Sequence, residues 1–108
     1  MTGAETTGGR GSDEAPLTQD SPEQFFELKE RDQQALLEWI EESFQFSIDW
    51  TEDHSSELRY LFMRGRRGFY IYNGSFKGAM REAGFEHKDA DRNGTNWYFR
   101  ARYIGTAR

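Results

Sequence analysis

His54-Ser55-Ser56 follows Glu52 and Asp53, so an imidazole, two hydroxyls and two carboxylates stand side by side in the chain. Ser55 or Ser56 would act as a nucleophile only with a base positioned by the fold. His54 with Glu52 and Asp53 could begin a metal site, but the spacing fits no common ligand pattern and His87 stands alone in a polar stretch. Entry into a helix, capped by Asp53 or Ser55, is the plainer reading. The chain has no cysteine, which removes disulfides, thiolate metal sites and thiol nucleophiles together. Gly65 to Gly68 lacks the spacing of a phosphate-binding loop. These residues predict a protein that is not an enzyme and carries no cofactor and no metal.

Polyanion binding is the second chemistry the residues could support. From Met1 to Asp53 three cations stand against fourteen acids; from His54 onward eleven cations stand against five. Such asymmetry points to nucleic-acid contact or to an acidic segment shielding a basic one, with two solvated surfaces as the bland alternative. Arg64, Arg66 and Arg67 form a dense knot beside Tyr60, Phe69 and Tyr70, suited to phosphate contact. The same knot could dock on Glu38, Glu41 and Glu42. Ser75, Lys77 and Arg81 fall off the apolar face of one helix and are expected to be exposed, with Lys77 and Arg81 placed to meet phosphates or a guanine edge. Arg92 and Asn93 mark a hairpin tip, and Arg100 with Arg102 the outward side of a final strand. The acids offer an opposite reading. Glu38, Glu41, Glu42, Asp49, Glu52 and Asp53 could mimic nucleic acid or engage a basic protein surface.

The elements that must position these residues follow from pattern. Residues 1–20 hold one large apolar residue after Met1, Leu17, and are expected to be a disordered acidic tail. Ser21-Pro22-Glu23-Gln24 reads as a helix start, with Ser21 as cap, and the helix breaks near Asp32 or runs on. Ala35, Leu36, Trp39, Ile40 and Phe44 recur at helical spacing. Phe44, Phe46, Ile48 and Trp50 then alternate with polar residues, which predicts a half-buried strand. Leu58, Leu61 and Phe62 stripe a helix ending at Gly65. Phe69 to Tyr72 looks extended. Phe76, Ala79, Met80 and Ala83 share a face of a helix that Gly84 ends, with Phe85 folding back over it. Within it, Gly78 marks a close approach, either of a nucleic-acid backbone or of the protein's own Phe69 or Tyr72. A turn at Asp91-Arg92-Asn93-Gly94 leads to a last strand with Trp97, Phe99, Ala101 and Tyr103 on one side and Tyr98, Arg100 and Arg102 on the other. Asn73 and Asn93 open glycosylation sequons, but without an export signal they read as turn residues.

This order predicts an α+β fold: one winged-helix-like domain over residues 21–108, helices followed by a β-hairpin, whose last helix would enter the major groove. Phe76 to Tyr103 also resembles the C-terminal winged-helix domains of phage and poxvirus primase-helicases. His54-Ser55-Ser56, Gly68-Phe69-Tyr70, Asn73-Gly74, Phe76-Lys77-Gly78-Ala79-Met80, Ala83-Gly84 and Asn96-Trp97 resemble a family of short uncharacterised proteins of phages, prophages and mobile elements of actinobacteria and other Gram-positive bacteria. The likeness spans about half the chain. Glu57 stands where a Tyr is expected. The resemblance implies an accessory protein and supplies no catalytic residues. With no signal peptide and no ~20-residue apolar run, a cytoplasmic protein of a bacterial host cell is expected. DNA is its expected partner, or alternatively a host or phage enzyme bound through the acidic helix face; no membrane is expected.

Overall fold

The computed structural model describes residues 16–105, and the first fifteen residues of the expected tail lie outside them. A short 3-10 helix, Pro22–Glu27, leads to α1, Glu30–Ser43, then β1, Phe44–Trp50, α2, Ser55–Met63, α3, Asn73–Glu82, β2, His87–Asp89, and β3, Trp97–Tyr103. The strands form one antiparallel sheet in the order β1-β3-β2. Three helices with a strand after the first, and a hairpin whose second strand pairs with it, are the winged-helix-like arrangement that the element order predicts.

Local chemistry accounts for most boundaries. The 3-10 turn ends at Leu28, earlier than Asp32, because Leu28 and Lys29 adopt extended backbone before α1 begins. Ser21 does not cap it with its side chain; its Oγ accepts the Thr18 N–H at 2.9 Å. At α2 the N-cap is His54, not Asp53 or Ser55, and Glu57 accepts the His54 N–H at 3.0 Å. Glu57 thereby closes half a capping box. Gly84 ends α3 at φ +98°, with its N–H on Arg81 O and the Phe85 N–H on Met80 O. That is a Schellman ending, and it turns Phe85 back into the core. Phe69 to Tyr72 is a connector, not a strand, and its Ile71 is buried in the core.

The core lies between the helices and one face of the sheet. Leu36 and Ile40 of α1, Phe62 of α2, Phe76 and Met80 of α3 and Phe99 of β3 are all buried in it. Trp39 joins α1 to α2 and β1, edge-on to Phe62 at 5.3 Å and to Phe44 at 5.8 Å. β3 alternates as its sequence predicts: Trp97, Phe99 and Ala101 are buried, and Tyr98, Arg100 and Arg102 turn away.

β1 departs from its pattern. It is a strand, but only Phe44 of its four alternating apolar residues is buried; Phe46 is 68% and Ile48 79% exposed. Phe46 lies opposite Ala101, whereas Trp50 lies opposite Arg100, so Ser47 to Asp49 bulge out of the ladder. The bulge carries Trp50 to the outer face of the sheet.

The largest surprise is at the N-terminal side. Thr18 to Glu27 lies as a strap along α3. Gln19 O accepts the Gly74 N–H at 2.8 Å, Asp20 Oδ1 accepts from Asn73 Nδ2 at 2.9 Å, and Phe25 is buried in the core. A Cβ on Gly74 would stand 2.1 Å from Ser21 O, and one on Gly78 would stand 2.1 Å from Pro22 O. Gly78 therefore admits the strap, not Phe69, Tyr72 or a nucleic-acid backbone. The last residues of the segment expected to be a tail are part of the packed domain.

Candidate binding surfaces

Residues Asn73 to Met80 of α3 are all buried, which corrects the expectation that this helix presents a basic face. Ser75 is 1% and Lys77 2% exposed. Lys77 points at the root of the wing. Its Nζ donates to Thr95 O at 2.8 Å and to Gly94 O at 3.3 Å, and it lies 4.7 Å from the Trp97 ring centroid. Burial pushes the Lys77 ammonium below its usual pKa, an effect that Asp20, Asp89, Asp91 and Glu23 partly oppose. Around it the wing is tied down. Asp91 Oδ1 accepts the Thr95 N–H at 2.9 Å, Asn73 Nδ2 also donates to Thr95 O at 2.9 Å, and Ser55 Oγ accepts the Trp97 N–H at 3.1 Å. Ser55 is thus a buried strut between α2 and β3, with no base against its hydroxyl.

The remaining cations are divided among several elements, many of them with partners of their own. Arg81, half-buried, approaches Glu23 of the strap at 3.7 Å. Arg67 pairs with Glu42 of α1 at 2.6 Å, so part of the arginine knot docks on the acidic helix, one of the two roles open to it from the sequence. Arg64 and Arg66 are exposed just after α2, and Arg92 and Asn93 are exposed at the wing tip. Arg59 is spent internally, donating to Ile71 O at 2.7 Å between Tyr60 and Tyr70. Arg100 and Arg102 do share the outer sheet face. There Arg100 and Lys88 lie 4.8 Å and 4.7 Å from the Trp50 ring, Lys88 also faces Tyr98, and Arg102 donates to Gln45 Oε1 at 3.0 Å. Glu86 stands 3.5 Å from Arg100 and offsets part of that charge.

The acids are similarly divided. Glu38 and Glu41 are exposed on α1, while Asp49, Glu52 and Asp53 border a cleft of about 330 Å³ between the β1 bulge and α2. No group of three or more His, Asp or Glu that could hold a metal occurs among the described residues. No helix among them is long and apolar enough to cross a membrane.

The feature that the sequence does not reveal is apolar. Leu37 of α1, Phe44 and Phe46 of β1, and Ala83 and Phe85 after α3 line an open groove of about 520 Å³, with Glu41, Glu82 and Gln45 at its rim. Phe46 stacks on Phe85 at 4.3 Å and 27°. Alternation puts Phe46 on the same side as Phe44, but it says nothing about whether a helix reaches far enough to cover it. Here α1 ends at Ser43 and none does.

On β2, His87 stacks on Trp97 at 3.5 Å and 10°. Its pKa is lowered from the usual 6.5 by burial, with Arg81 and Lys77 adding and Asp89 opposing. A depressed folded value means that stability is fully present above about pH 6.5 and is lost as pH falls through the folded pKa. Acidification is therefore expected to loosen the β2–β3 hairpin first. A His87 ring titration by NMR with a midpoint below 6.5, tracked by Trp97 indole shifts, checks this; a midpoint above 6.5 reverses the sign.

Fold and surfaces together define a winged-helix-like module with an occluded third helix and an open apolar groove. Compared with protein-family models, with curated proteins and with solved structures, the chain finds no match.

Proposed function

We propose that this protein is a non-catalytic accessory module that binds another protein, and that it does not read duplex DNA with α3. One observation carries the reading: an edge strand leaves Phe46 and Ile48 more than two-thirds exposed, beside a groove floored by aromatic carbon. Contiguous exposed apolar surface next to an unpaired strand marks interaction sites in monomeric domains. The buried α3 supports the same choice, since Lys77 holds the wing instead of reaching outward and Arg81 is half-buried beside Glu23 of the strap. Engagement of Ser55 as a strut supports a binding role over a catalytic one. The likeness to short phage and mobile-element proteins supplies a setting, a bacterial host cell in which the partner is a host or element enzyme.

A second reading has its own support. Trp50 and Tyr98 with Lys88, Arg100 and Arg102 resemble the aromatic and cationic platforms on which single strands stack. The chain's net charge of -5 weighs against it. One comparison separates the two. The whole chain, immobilised, should retain a protein that Phe46→Ser with Ile48→Ser loses, an interface hot spot being worth about 2 kcal/mol, or roughly thirtyfold in affinity. In gel shifts the same chain should move neither duplex nor single-stranded DNA at physiological salt. A salt-sensitive shift abolished by Lys88→Ala with Arg100→Ala would transfer the function to the outer sheet face.

A further inference from the structure

Resting on the protein-binding reading, we infer that the groove between α1, β1 and the Ala83–Phe85 turn takes a short segment of a partner protein that is both basic and apolar. An aliphatic or aromatic side chain would sit on Leu37, Phe46 and Phe85, and flanking Lys or Arg would meet Glu41 and Glu82. Two observations fix that chemistry. The lining contains two carboxylates and no cation. The C-terminal end of α3 reaches the groove at Glu82 and Ala83, where the last helical carbonyls favour positive charge.

Other occupants fit worse. Residues 1–15 carry no large apolar residue after Met1 and four acids or bases in which acids lead three to one, and Thr106-Ala107-Arg108 has no anchor either. Neither of these two segments carries what the groove selects. A second copy joined face to face would bring two more carboxylates and no lining cation, so nothing in either groove would offer Glu41 or Glu82 an opposite charge.

The test uses three labelled octapeptides with the whole chain: alternating Arg and Leu, alternating Glu and Leu, and alternating Arg and Ser. Polarisation should show the Arg/Leu peptide binding at least tenfold tighter than either of the others, and amide shifts should centre on Leu37, Phe46, Ala83 and Phe85. Glu41→Arg with Glu82→Arg should reverse the preference toward Glu/Leu, an exchange that a merely destabilised domain would not show. Phe46→Ala should weaken Arg/Leu binding and leave the fold's amide dispersion intact. Equal binding of the Arg/Ser peptide would mean charge attraction alone and would overturn the inference, as would shifts centred on Asp49, Glu52 and Asp53. Concentration-dependent sedimentation as a dimer, abolished by Phe46→Ala, would instead give the groove to a second copy and also overturn it. If these peptides fail while the immobilised chain still loses its partner on Phe46→Ser with Ile48→Ser, the segment's chemistry is wrong and the protein-binding reading stands. If both fail, that reading falls as well.

Discussion

Gly78→Ala is expected to destabilise the domain by about 2–4 kcal/mol, although alanine is the better helix former. In an unhindered helix the exchange would gain about 0.5–1 kcal/mol. Here the new Cβ would stand 2.1 Å from Pro22 O and 2.8 Å from Phe25 Cβ, and neither is the free end of a flexible side chain. The strap must lift, and Phe25, 2% exposed, leaves the core with it. Losing a buried Phe costs about 3–5 kcal/mol in other cores. For a domain this size, each kcal/mol lowers Tm by roughly 4–8 °C. Gly74→Ala should behave alike, because its Cβ meets Ser21 O at the same 2.1 Å. Gly65→Ala is the control: its nearest neighbour, Phe62 O, is 3.4 Å away, and a change within about 0.5 kcal/mol is expected. Urea unfolding of the three variants decides it. Gly78→Ala matching or exceeding wild type would mean that the strap does not rest on α3.

Lys77→Ala should cost a similar amount, about 2–4 kcal/mol, for a reason unrelated to nucleic acid. The substitution leaves Gly94 O without its side-chain donor and Thr95 O with Asn73 Nδ2 alone, a buried group left unpaired costing about 1–3 kcal/mol where water does not replace it. It also opens a cavity beside Trp97. Lys77→Met keeps the stem and removes a buried charge, so its loss should be smaller. The pH dependence gives a second check. Burial holds the folded pKa of Lys77 below its unfolded 10.5. Its titration thus contributes stability above pH 10.5 that is lost as pH falls through the folded value. Wild type should gain on Lys77→Met as pH rises through that window, and the tyrosines, common to both, cancel. A wild-type and Lys77→Ala pair of equal stability would place the side chain in solvent.

These effects mark where local pattern stopped carrying information. The Gly-Phe ending of α3, the alternation of β3, the stripe of α2 and the order of elements were all legible, because each depends on neighbours a few residues away. Exposure on α3 was not. Lys77 and Ser75 sit off the Phe76/Met80 face, and a helical wheel with one apolar face predicts solvent for the rest. The strap supplies a second wall that the wheel cannot contain, and Gly74 and Gly78 were the only hint of it. Phe46 failed in the opposite direction, since its spacing matched Phe44 while no helix extends over it.

By itself the sequence determined the kind and order of elements, the winged-helix-like connection and which side chains of β3 face inward. The tertiary structure alone decided what covers what. It buried a lysine between α3 and the wing, moved Trp50 outward through a three-residue bulge, paired Arg67 with Glu42 and left an aromatic groove open. Secondary structure is set by contacts within a turn or a strand. Accessibility is set by segments dozens of residues apart, such as Asp20 and Asn73, and a periodic pattern holds no record of which one arrives.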